Sequence, residues 1–178
     1  CGARVFVEPL IRIEPAAASP ALTAQIQAAE NADIVIATSA AAIEALVVHA
    51  PFWAPMGRLI AVGQATAAAL AAATGRDVAV PEANDSEGLL AMPELDSANT
   101  ARVALLASEG GRTLLADTLA ERGFDVERVA LYRRRAARLA PSRLAELLSV
   151  CDTLVITSEA AWRALIDQCG PSERKRLA

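Results

Sequence analysis

The chain has 178 residues, 54% of them hydrophobic and 3% aromatic, with a formal net charge of −4. That length allows one large domain or two small ones, and the hydrophobic fraction excludes general disorder. The acidic balance argues against a nucleic-acid partner, which would call for a basic face, though not against a local anion site built from NH groups and a few arginines.

Three cysteines, Cys1, Cys151 and Cys169, have no ligand-like spacing. This argues against a disulfide framework or a zinc site and fits a reducing compartment. No apolar run reaches the ~18 residues of a membrane span, and no signal peptide is visible. The expectation is a cytosolic (cytoplasmic) protein without a membrane partner.

In chain order, residues 3–7 read as a strand after a Cys1-Gly2 turn, and 10–15 as an extended crossing. A helix is predicted over 20–31, a strand over 33–38 and a helix over 40–49. Then come strand 59–62, helix 64–74, strand 77–80 and helix 86–92. Strand 102–107, helix 111–122 and strand 126–131 follow, with a second extended crossing at 132–135. Helix 142–149, strand 152–157 and helix 158–169 complete the pattern, and 171–177 begin another helix. Gly75, Gly123 and Gly170 stand where helix C-caps belong. Strand–helix alternation with short connections implies an α/β fold, with parallel sheets and helices over both faces. One lobe is placed at 16–131, and a second, partial one at 1–9 plus 136–178. Because the chain opens in mid-pattern, the expectation is a fragment lacking segments at both ends.

One internal repeat is informative. Asp33-Ile-Val-Ile-Ala-Thr38-Ser39, followed by an Ala-rich helix, matches Asp152-Thr-Leu-Val-Ile-Thr157-Ser158 and its helix in register. Each Thr-Ser closes a predicted strand and opens a helix, which in a parallel sheet is the carboxyl edge where ligands collect. Either turn reads as a plain N-cap or as an anion site built on free NH groups. Gly63 and Thr66 form a similar turn without a dinucleotide fingerprint. Ser108-Glu-Gly-Gly-Arg112 offers NH groups and a guanidinium to a carboxylate, or is a solvated loop. Ser86-Glu-Gly88 opens a helix as a cap. Tyr132, the only tyrosine, ends a strand beside Arg133, Arg134 and Arg135. It is either a proton donor with a cation-lowered pKa or an amphipathic boundary residue. His49 ends a helix with no metal partner spaced for it, and Phe52-Trp53 is expected to anchor a loop.

Taken in order, these motifs resemble the uroporphyrinogen-III synthase family. They are Asp33 to Ser39, Val62-Gly63-Gln-Ala-Thr66, Ser86-Glu-Gly-Leu-Leu, Arg112 to Val126, Val129-Ala-Leu-Tyr132-Arg133 and Thr157-Ser158-x-x-Ala161. The resemblance covers nearly the whole chain. It implies two flavodoxin/Rossmann-like lobes joined by a two-stranded connector (10–15 and 132–135), one lobe incomplete, with the active site in the cleft between them. It also implies cyclisation of hydroxymethylbilane, a linear tetrapyrrole with eight carboxylates, with inversion of ring D and loss of water. No cofactor and no metal are expected, and the protein is expected to be a monomer. Tyr132 matches the family's candidate acid. Thr38, Ser39, Gly63, Thr66, Ser108, Arg112, Thr157 and Ser158 fall on the substrate-binding turns.

The sequence departs from the family pattern at Ala40 and Ala41, at Ala107-Ser108, and in lacking the opening strand and helix and a closing Gly-x-x-Thr turn. The chain alone is therefore expected to be inactive or weak. A synthase-like sensor without chemistry and a flavodoxin-like interaction domain are the alternatives.

Overall fold

The computed structural model describes residues 2, 4–96, 101–111 and 113–177. The chain divides into two compact units, Glu14–Arg133 and Cys1–Ile13 with Arg134–Ala178. Five strands, β1 (Ile11–Pro15), β2 (Ile34–Ala37), β3 (Arg58–Ala61), β4 (Arg102–Ser108) and β5 (Asp125–Ala136), form one sheet in the order β1-β5-β4-β2-β3. The β5–β4, β4–β2 and β2–β3 pairs are all parallel.

In the unit Glu14–Arg133, helices cover both faces of the sheet. Against one face lie α1 (Pro20–Glu30), α2 (Ala40–His49) and α3 (Gln64–Thr74). They bury Leu22, Ile26, Ile43, Leu46 and Leu70 with Val35, Leu59 and Leu106 of the strands. Against the other lie α4 (Ser86–Leu90), a 3-10 turn at Pro93–Leu95 and α5 (Leu114–Glu121). Their Leu89, Leu95, Leu115 and Leu119 meet Ile34, Ile36, Ile60, Val103 and Leu105. This double cover explains why β2 reads Ile-Val-Ile-Ala without alternation: all four residues are buried.

Local chemistry sets the helix ends. Ser19 caps α1, its Oγ accepting from the Leu22 N–H at 3.1 Å, with Pro20 opening the helix. Gly75 ends α3 at φ 67°, and Gly123 follows α5 at φ 91°, as expected of C-cap glycines.

The unit built from Cys1–Ile13 and Arg134–Ala178 holds α6 (Pro141–Val150), α7 (Glu159–Ile166) and α8 (Pro171–Leu177). Its core is small: Leu144, Leu165 and Cys169, flanked by Leu10, Leu139, Leu148, Ile156 and Leu177. Arg143 donates to Glu8 and, at 3.0 Å, to Glu146, which raises its pKa further. Among the described residues, no helix is long and apolar enough to cross a membrane.

Several element expectations are corrected. Residues 4–7 and 152–157 form no strand. Their Val5, Val7 and Val155 are exposed, because an apolar run becomes a strand only where a neighbour completes its ladder. Of 77–80, only Ala79 pairs, in a single bridge to Ile60. The strand ending at 131 instead runs on to Ala136. The helix expected from 111 begins at Leu114. Asp85, not Ser86, caps α4, its Oδ1 accepting from the Gly88 N–H at 2.7 Å. Gly170 caps the start of α8 rather than the end of α7. Its N–H donates to Glu173 Oε2 at 2.5 Å, and its carbonyl accepts from the Arg174 N–H at 3.0 Å. With Pro171 next in sequence, this is half of a capping box.

Candidate functional site

The carboxyl edge of the sheet in the unit Glu14–Arg133 brings three turns and a residue of β5 side by side. Backbone bonds continue past the strand ends: Glu109 N–H to Tyr132 O at 2.7 Å, Thr38 N–H to Leu106 O at 3.1 Å, and Val62 N–H to Ala37 O at 3.0 Å. Tyr132, Ser108, Thr38-Ser39 and Gly63 therefore stand in that order along one edge, following β5, β4, β2 and β3. Thr66 lies in the first turn of α3, buried.

The two hydroxyls of the first Thr-Ser turn have different jobs. Thr38 Oγ1 donates to Leu106 O at 3.0 Å and ties the turn to β4. Ser39 caps α2, its Oγ accepting from the Ala42 N–H at 3.3 Å. The same Ser39 Oγ stands 3.0 Å from Tyr132 Oη, in a hydrogen bond that either hydroxyl can donate. Tyr132 is 2% exposed, so its phenol is held inside the edge rather than on the surface.

A β-bulge brings the phenol there. β4 and β5 pair in constant register from Arg102↔Asp125 to Ala107↔Ala130, then Ser108 pairs with Tyr132. Leu131 is the extra residue. Side chains alternate across a strand, and Val129 and Leu131 face the α1–α3 side while Val126 faces the other. Unbroken alternation would send Tyr132 toward α4 and α5; the inserted residue turns it to the side of Ser39.

The loop after β4 turns at Gly110, φ 66°, a left-handed position suited to glycine. Ser108 is buried, and its carbonyl accepts from the Gly111 N–H at 3.4 Å and from Arg128 Nη2 at 3.5 Å. Sequence reasoning did not single out Arg128. It is a β5 residue whose buried Nε has no hydrogen-bond partner among the described residues, and 20 residues of chain separate it from the loop it reaches. Gly63 is a close-approach position: a Cβ there would come within 3.1 Å of the Asn84 side chain. Asn84, also not anticipated, belongs to the segment before α4. Arg112 lies outside the described residues.

In the other unit, Ser158 repeats the cap of Ser39. Its Oγ accepts from the Ala161 N–H at 3.2 Å, and its φ and ψ of −151° and 147° compare with −165° and 152° at Ser39. Thr157 and Ser158 are both exposed, and no strand precedes them. The repeated aspartate has a structural task in the first copy. Asp33 Oδ2 accepts from the Arg102 N–H at 2.8 Å at the opposite, amino edge of the sheet. Of the loop pair expected to act as an anchor, Trp53 does so, donating Nε1–H to Ile26 O at 3.1 Å. Phe52 does not, being 93% exposed. Arg133 is paired with Glu14 at 3.1 Å.

Comparison with known proteins gives one answer. The family model described as uroporphyrinogen-III synthase HemD matches residues 1–178. The chain is 34% identical over 133 residues to the uroporphyrinogen-III synthase of Escherichia coli K12, covering 72% of the chain and 54% of that relative. It is 33% identical over 135 residues to the Salmonella typhimurium enzyme of the same name, with the same coverage of each. The chain thus spans about half the length of the curated relatives it matches. Among solved structures, a mutant uroporphyrinogen III synthase from Thermus thermophilus superposes with a TM-score of 0.64 at 25% identity, over 95% of this chain and 70% of that one. The Helicobacter pylori uroporphyrinogen-III synthetase shares the fold, with a TM-score of 0.58 at 17% identity, over 90% of this chain and 70% of that one. By the full-length family match and these relatives, the chain belongs to the uroporphyrinogen-III synthase family.

Proposed function

We propose that the chain is part of a uroporphyrinogen-III synthase that cyclises hydroxymethylbilane to uroporphyrinogen III, inverting ring D and releasing water. The observation that carries the reading is the sheet edge where Tyr132, Ser108, Thr38-Ser39 and Gly63 stand side by side, with a buried phenol bonded to a helix-capping serine. A helix start offers unpaired N–H groups to carboxylates, and the substrate has eight. In this reading Thr38, Ser39, Gly63, Thr66, Ser108 and Arg112 bind the substrate on one lobe, and Thr157 and Ser158 bind it on the other. Residues 10–15 and 132–135 are the connectors between lobes 16–131 and 1–9 plus 136–178.

The chemistry needs one donated proton and strict control of shape. Tyr132 gives its proton to the leaving hydroxyl, which departs as water. The pyrrole nitrogen's electrons complete an azafulvene, and the substituted carbon of ring D attacks it to give a spiro intermediate. One bond of that intermediate breaks, ring D recloses through its other α-carbon, and the proton released restores the phenol. Protons and electrons balance without a redox cofactor. Holding both ends of a flexible chain close together is the larger contribution to rate. The protein acts as a cytosolic monomer in this proposal.

The test is the product isomer formed from hydroxymethylbilane by the parent protein in which this sequence stands. Type III is expected, and only the spontaneous type I ring overturns the reading. Tyr132→Phe is expected to lower the type-III rate about a hundredfold, the lower range for a positioned general acid. Undiminished type-III output would remove its catalytic role.

A further inference from the structure

We propose that Arg128 is a substrate-binding residue, and that together with Ser108 it holds one carboxylate of the substrate at the loop after β4. The assignment rests on the function proposed above and deepens it.

The strand places the guanidinium. Val126 faces the α4–α5 side and Val129 the α1–α3 side, so Arg128, ahead of the bulge, shares the side of Val126. Tyr132, beyond the extra Leu131, is turned to the other side. Arg128 therefore serves a part of the ligand away from the phenol.

The donors at this loop lack an acceptor. A guanidinium carries five N–H donors. Among the described residues, the one hydrogen bond of Arg128 runs from Nη2 to Ser108 O at 3.5 Å, and no carboxylate pairs with it. Its Nε is buried and has no partner among them. Ser108 is only 9% exposed, and its hydroxyl has no partner among the described residues either. Buried polar groups left unpaired are costly, so two of them at one loop point to an acceptor from outside the chain. Gly111 keeps the place open: a Cβ there would stand 3.0 Å from Ser108 Oγ and 3.5 Å from Arg128 Nη2. The N-cap of α5, Thr113, makes no side-chain cap bond, so the first N–H groups of that helix add positive potential behind the loop. A carboxylate answers the charge and accepts from both side chains.

The test uses the parent protein. Arg128→Met removes the charge at similar length, and Arg128→Lys keeps the charge without the planar fork. Arg128→Met is expected to raise KM for hydroxymethylbilane about ten- to hundredfold and to leave kcat within about twofold. An anchor away from the reacting carbons binds ground and transition states alike. Arg128→Lys is expected to recover part of the loss. Ser108→Ala is expected to raise KM in the native background and to add nothing beside Arg128→Met, because both residues hold one carboxylate. Fluorescence titration with uroporphyrin, a stable ring bearing eight carboxylates, is expected to show Kd rising by the same factor as KM. A bond that only ties the loop would instead lower the thermal midpoint of both Arg128 variants and leave KM and Kd alone. Unchanged KM and Kd in folded Arg128→Met overturn the proposal, as does a loss confined to kcat. Ser108→Ala, read by the same two constants, decides the site if Arg128→Met does not fold. If the parent makes no type III ring, the function proposed above has failed, and the uroporphyrin titration still decides Arg128.

Discussion

Ser39 shows how one residue serves two scales. Its cap was legible from Thr-Ser before an Ala-rich helix; its bond to Tyr132 was not, since 93 residues separate the partners. Ser39→Ala loses both roles. It is expected to destabilise the protein by about 1 kcal/mol, the usual cost of an unmade N-cap, checked by urea unfolding against Ser39→Gly. Cys169 makes a separate prediction. Burial first, and then nearby Glu173, raise its pKa above the ordinary 9.0, while Arg174 lowers it. A raised thiol pKa means that the folded state holds its proton longer than the unfolded one. The stability it contributes is complete below pH 9 and is lost as pH climbs through the folded value. Unfolding midpoints measured from pH 7 to 10.5 are expected to fall at the alkaline end, less so in Cys169→Ala.

At the scale of elements, hydrophobic runs and capping residues located the helices well. They located strands only where a partner exists. Residues 34–37 and 102–108 are strands because neighbours lie on both sides. Residues 152–157 have a similar composition and the same capped helix after them, but they pair with no strand among the described residues. Pairing is a property of two segments, and no single segment encodes it. The Leu131 bulge was invisible for the same reason: it exists only in the register of β5 against β4. Gly88 is a case where packing demands a residue type. A Cβ there would lie 2.0 Å from Ala83 O, at the point where Asp85 caps α4. Gly88→Ala is expected to lower stability by about 1–3 kcal/mol, as forced overpacking does, and thermal unfolding would show it. An unchanged midpoint would mean that the segment before α4 shifts without cost.

At the scale of the molecule, the two units differ in how much core each contains. Both large clusters of buried residues fall within Glu14–Arg133, while the other unit buries Leu144, Leu165 and Cys169. A fragment of residues 14–133 is therefore expected to fold alone with a cooperative transition, as a unit with its own core should. A featureless melt of that fragment would contradict this.

By itself, the sequence determined the α/β class, the positions of most helices, the Thr-Ser caps and, through the order of its motifs, the family. Those are local quantities: apolar periodicity, capping chemistry and turn residues act within a few positions of one another. Tertiary structure decided which apolar runs became strands. It also turned Tyr132 to the side of Ser39, and set Arg128 against the loop after β4 and Asn84 against Gly63. Each of these depends on two distant segments being held in register by a buried sheet, and register is fixed only when the whole core packs.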